Sequence, residues 1–146
     1  MKKTEMLKKN YEFKTVLSKG KFYKGIEIEI FILKNNKKRN FLGIAIGTKN
    51  GKAYQRNRAK RIIRECYSSF ENSIKDGNSI VILMNKKFEI KNIKFSEVLK
   101  DMENIFLKAE ILKKEDEIWK KYEIFLYYEW KYSIIPPHND FATLSW

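Results

Sequence analysis

The sequence holds one cysteine, Cys66, one histidine, His138, and two prolines, both in Pro136-Pro137. A lone cysteine forms no intramolecular disulfide, and one Cys with one His leaves no recognisable zinc-ligand set. A catalytic Cys–His pair would need the two to meet in space; the plainer reading is a buried Cys66 and an incidental His138. Acids are also in short supply, 18 Asp and Glu against 31 Lys and Arg. They are scattered along the chain, so the clustered carboxylates with which a self-sufficient metal-dependent nuclease activates water are not apparent. No stretch approaches the roughly 18 uninterrupted apolar residues of a spanning helix. The start, Met1-Lys2-Lys3-Thr4-Glu5-Met6, runs into Lys8-Lys9 without the apolar core of a signal peptide. The expectation is a cytoplasmic protein with no bound metal, no membrane association and no obligate protein partner.

What is present points elsewhere. The chain has 146 residues, enough for one compact domain, read here as residues 1–112, with 113–146 as a C-terminal extension of unassigned role. A hydrophobic share of 43 % and an aromatic share of 14 % are far from the composition of a disordered chain. The formal net charge is +13 and the pI about 9.7. Such a surplus favours a polyanionic partner, because each phosphate neutralised releases condensed counterions. Residues 113–146 carry five lysines against six acids, so the positive charge belongs to 1–112.

The hydrophobic pattern gives an order of elements. A short helix is expected over Leu7 to Gly20, with Asn10 as a cap, Phe13, Val16 and Leu17 on one face and Gly20 as the stop. Ile26 to Leu33 alternates with period two and reads as a strand with an all-isoleucine face; Glu27, Glu29 and Phe31 share the other. Asn35 to Asn40 reads as a turn, and Phe41 to Gly47 as a second strand paired with the first in a hairpin. A helix is expected from about Ala53 to Phe70, a buried strand at Ile80-Val81-Ile82-Leu83-Met84, and a third helix from Phe95 to about Leu112. The arrangement is α/β. In the extension, Ile118, Trp119, Tyr122, Phe125 and Trp130 could line one more helix, ended by Pro136-Pro137.

The second helix has an unusual composition. Lys52, Arg56, Arg58, Lys60, Arg61 and Arg64 fall in thirteen residues that contain no acid. At about 100° per residue, Ala59, Ile62, Ile63, Cys66 and Phe70 lie on one side and Arg56, Asn57, Lys60, Arg61 and Arg64 on the other, with Arg58 between. A solvated surface helix usually mixes both signs, so a one-sided basic face suits several phosphates at once. Asn57 adds an amide that both donates and accepts, able to bind a phosphate oxygen, a 2′-hydroxyl or a metal-bound water. Phe13 and Phe31 are candidates for stacking on unpaired bases, with core packing as the competing role.

The run Gly43-Ile44-Ala45-Ile46-Gly47-Thr48-Lys49-Asn50-Gly51-Lys52-Ala53-Tyr54-Gln55-Arg56-Asn57-Arg58-Ala59-Lys60-Arg61-Ile62-Ile63-Arg64-Glu65 resembles the signature of the bacterial ribonuclease P protein component. Its hallmark is Arg-Asn-Arg followed by Lys-Arg and then Arg-Glu. The entry Glu12-Phe13-Lys14-Thr15-Val16-Leu17-Ser18-Lys19-Gly20 supports it, and the similarity extends over about 1–112. The resemblance implies an α/β (α+β) two-layer sandwich, α-β-β-(β)-α-β-α, with a left-handed crossover between parallel strands. It implies a protein subunit that binds a catalytic RNA subunit and the 5′ leader of precursor tRNA, the RNA performing cleavage with bound Mg2+. It places Lys52, Arg56, Asn57, Arg58, Lys60, Arg61 and Arg64 against the catalytic RNA, and Phe13, Leu17 and Phe31 in a cleft for the leader. Leu17 stands where the family carries a second aromatic. A plain RNA-binding module, such as a ribosomal or RNA-chaperone protein, is the alternative that the basic helix alone would also fit.

Overall fold

The computed structural model describes residues 3–113. The helix read near 118–130, its proline stop and His138 lie outside the described residues. Eight regular elements follow one another: β1 (Thr4–Met6), α1 (Asn10–Lys19), β2 (Lys21–Lys24), β3 (Ile28–Lys34), β4 (Asn40–Ala45), α2 (Ala53–Phe70), β5 (Asn78–Met84) and α3 (Phe95–Lys108). The strands form one mixed sheet in the order β1-β4-β5-β3-β2. The continuous apolar run of β5 takes the centre, where both faces are covered. Ile80, Ile82 and Met84 join the larger core cluster, while Val81 and Leu83 join a smaller one on the opposite face.

The expected hairpin of β3 and β4 does not form. Both strands pair with β5 instead, β3 antiparallel and β4 parallel. Adjacent strands lie about 4.8 Å apart, so residues 35–39 easily span the gap of two spacings that a strand inserted between β3 and β4 leaves. The asparagines that read as turn formers hold this step-over together. Asn35 Nδ2 donates to Ser79 Oγ at 3.0 Å, and Asn78 N–H donates to Asn40 Oδ1 at 2.9 Å, so both clamp the start of β5.

Helices α2 and α3 cover one face. Ile28, Ile30 and Ile32 of β3 meet Ile63, Cys66, Phe70, Leu99 and Phe106 there, and the Phe106 ring stands edge-on to Phe70 at 5.4 Å and to Tyr67 at 6.5 Å. This sheet and helix pair are the two-layer body. Helix α1 lies on the other face, where Val16 packs with Leu7 and Val81. The parallel neighbours β4 and β5 are joined through α2, which is the crossover connection of the fold.

Several local expectations shift. Strand β1, Thr4–Met6, is unforeseen; it pairs parallel with β4, and Thr4 Oγ1 hydrogen-bonds the buried phenol of Tyr67 at 2.9 Å. Three residues between Lys3 and Leu7 carry no period that could announce a strand. Asn10 is the first helical residue and not a cap; Glu12 Oε1 accepts the Lys9 N–H at 3.0 Å, one half of a capping box. Helix α3 ends at Lys108, because Glu110 turns at φ 56° and Leu112 bridges to Ile74. Glu27 precedes β3 and leaves the face of Phe31: its Oε1 accepts the Lys94 N–H at 3.1 Å, at the start of α3. Burial pushes that carboxyl above its ordinary range, the Lys94 bond opposing and nearby Asp101 and Glu97 adding to the rise.

Candidate nucleic-acid interface

Helix α2 begins after Lys52, whose N–H is held by Gln55 Oε1 at 2.9 Å. Its inner side is dry: Ala59, Ile63, Cys66, Tyr67 and Phe70 are fully buried, and Ile62 is half-buried. The basic residues therefore have one direction left. Asn57, Arg58, Arg61 and Arg64 are exposed, as is Lys52 at the N-terminal end, while Arg56 and Lys60 are half-buried. Two arginines are partly committed to the protein. Arg56 Nη1 donates to the Gly51 carbonyl at 2.5 Å, and Arg58 Nη1 reaches the Ile93 carbonyl at 3.4 Å, just before α3. Arg61, Arg64, Lys60 and Lys52 appear in no ion pair among the described residues. Their charges are available to phosphates, and affinity that rests on them should fall with salt.

On the other face of the sheet, Phe13, Leu17 and Phe31 come together around Val16 and Val81. All three are half-buried, so each takes part in packing while keeping some surface open. Phe13 can lie this low because β4 carries glycine beneath it: a Cβ on Gly43 would sit 2.5 Å from the ring. Beside this group a cleft of about 320 Å³ opens between α1 and the sheet, lined by Leu7, Tyr11, Val16, Leu33, Lys37 and Phe41. The Lys37 ammonium stands 5.2 Å from the centre of the Phe41 ring. Glu29 shares this face but is only 9 % exposed.

Sequence patterning misses three residues here. Phe22 on edge strand β2 is 47 % exposed and sits in register with Phe31, their ring centres 4.9 Å apart. Tyr54, 67 % exposed, stands one turn before Arg58 on α2. Tyr67 completes the buried side of α2, its phenol pushed up to about 12, chiefly by burial, with the Thr4 bond opposing. Only the last had a helical-spacing signal, four residues after Ile63 and three before Phe70.

Among the described residues no group of three or more His, Cys, Asp or Glu side chains could hold a metal ion. No described helix is long and apolar enough to cross a membrane.

Comparison with known proteins agrees with this architecture. The family model described as Ribonuclease P matches residues 1–110. The ribonuclease P protein component of Fusobacterium nucleatum is 36 % identical over 108 residues, covering 73 % of this chain and 97 % of that protein. That of Dictyoglomus turgidum is 36 % identical over 113 residues, covering 77 % and 94 %. The ribonuclease P protein from Thermotoga maritima superposes with a TM-score of 0.62 at 29 % identity, over 69 % of this chain and 94 % of that one. With a basic helix, an aromatic cleft and this mixed sheet in one body, the chain belongs to the ribonuclease P protein family.

Proposed function

We infer that this chain is the protein subunit of ribonuclease P, binding the catalytic RNA and the 5′ leader of precursor tRNA to assist endonucleolytic removal of the leader. The observation that carries this reading is the placement of two surfaces of different chemistry on opposite sides of one sheet. The acid-free run from Lys52 to Arg64 offers cations and the Asn57 amide to a phosphate-rich fold, with Ala59, Ile63 and Cys66 anchoring the helix from behind. The half-open rings of Phe13 and Phe31 offer flat apolar surface to unpaired bases. A duplex cannot present bases that way; a single-stranded leader can.

The protein is the non-catalytic component of the enzyme. In that division of labour, magnesium ions held by the RNA supply the activation of water and leaving group. The chain's own residues bind and orient: Lys52, Arg56, Arg58, Lys60, Arg61 and Arg64 neutralise backbone phosphates, Asn57 bridges a donor and an acceptor, and Phe13, Leu17 and Phe31 hold the leader. Residues 1–112 form the RNA-binding domain in this reading.

A binding comparison tests it. The protein assembled with a bacterial ribonuclease P RNA should bind leader-bearing precursor tRNA more tightly than mature tRNA. Equal affinity for both would point to a general RNA-binding module, such as a ribosomal or chaperone protein.

A further inference from the structure

Leader bases need ring faces: on α1, Tyr11 lines the neighbouring cleft and Phe13 sits in the group with Phe31, but Leu17, one turn after Phe13, offers no π surface. The sheet side differs. Phe31 is half-buried beneath α1, and across the β2–β3 pair stands Phe22, its register partner. The two rings are tilted by 42° with centres 4.9 Å apart, so they make one continuous aromatic surface running from the cleft to the sheet edge. Phe22 is 47 % exposed, although a large apolar side chain on an edge strand usually gains by being covered.

The surroundings of Phe22 suit a polyanion and not another apolar protein surface. Strand β2 reads Lys21-Phe22-Tyr23-Lys24, with both lysines exposed and no acid in it. Lys19 ends α1 two residues before. Lys24 shares the face of Phe22, in register with the buried Glu29, whereas Lys21 lies on the other face with its ammonium 5.5 Å from the Tyr23 ring. Aromatic surface flanked by cations on an extended strand is the arrangement that tracks a single-stranded backbone while stacking its bases.

We propose that Phe22 is a leader-positioning residue, stacking on a base of the 5′ leader as the chain of bases leaves Phe31 for the sheet edge. The proposal rests on the leader-binding reading above and adds a third ring contact to those of Phe13 and Phe31, on β2. A leader long enough to pass Phe31 would then gain affinity that a shorter one lacks.

The test uses the full-length protein assembled with a bacterial ribonuclease P RNA. Phe22→Leu keeps apolar cover on the edge strand but removes the ring, Phe22→Ser removes both, and Phe22→Trp keeps a ring. Leu and Ser variants should lose about fivefold or more of the preference for leader-bearing over mature tRNA, the effect of one lost base–aromatic stack. Phe22→Trp should retain that preference, and mature tRNA binding should stay level throughout. A leader carrying 2-aminopurine should be quenched on binding the unsubstituted complex and less so by Phe22→Leu at matched saturation. Should the unsubstituted complex prefer the leader while Phe22→Leu and Phe22→Ser keep that preference, the Phe22 proposal fails and the functional reading stands. If the unsubstituted complex lacks any leader preference, the functional reading fails and the proposal falls with it.

Discussion

The ring of Phe13 rests on Gly43, so close that a Cβ added to residue 43 would meet the ring at 2.5 Å. Helix α1 and strand β4 thereby fix the depth at which an aromatic can sit and still keep part of its surface open. Gly43→Ala should lift or tilt the ring without touching a charge. The expected result is a stability loss of about 1–3 kcal/mol from overpacking. Leader preference should fall, as it should in Phe13→Ala, with mature tRNA binding unchanged. Urea unfolding and paired binding measurements check both; unaltered leader preference in both variants would make Phe13 a packing residue only.

The hydrogen bond between Tyr67 and Thr4 ties the crossover helix to the first strand. The folded state holds the Tyr67 phenol protonated up to about 12, above its ordinary value of 10. A raised folded pKa gives stability that is complete below pH 10 and is lost as the pH climbs toward 12. The loss is of the order of 3 kcal/mol at most. Tyr67→Phe should cost about 0.5–1.5 kcal/mol at neutral pH. It should also flatten the decline between pH 10 and 12, seen by chemical unfolding at each pH. An identical decline in the variant would mean that Tyr67 does not control it.

The helix bearing the basic face was legible in the sequence to its limits, because a strong amphipathic period and an acid-free run coincide over Ala53–Phe70. The central strand was equally plain from Ile80 to Met84, since only full burial explains such a run. Strand adjacency was not legible. Asn35 to Asn40 carries turn chemistry whether the chain folds back beside itself or steps over β5, and only the contacts of Asn35 and Asn40 with β5 decide between them. Phe22 was hidden for a related reason: its meaning comes from its register with Phe31, a pairing that two aromatic residues between lysines do not announce. Glu27 reads as an open acid on the cleft strand by alternation, but the regular strand starts one residue later and its carboxylate turns to α3.

On α2, Lys60 and Arg61 point away from the dry side that Ala59 and Ile63 form. Replacing either by Ala should reduce the salt slope of RNA-subunit binding by about one per lost phosphate contact. Folding stability should stay within about 0.5 kcal/mol, as for other surface substitutions. Titrations at several salt concentrations, with thermal unfolding alongside, give both numbers. Unchanged slopes in both variants would remove this helix face from the RNA contact.

The most direct measurement is reconstitution. Addition of the full-length protein to a bacterial ribonuclease P RNA at limiting magnesium should restore 5′-leader cleavage of precursor tRNA, while the protein alone, freed of contaminating RNA, should cleave nothing. Asn57→Ala removes no cation, so its salt slope should hold while the magnesium needed for cleavage rises. Failure of the protein to lower the magnesium requirement, or cleavage by the protein without RNA, would contradict the account.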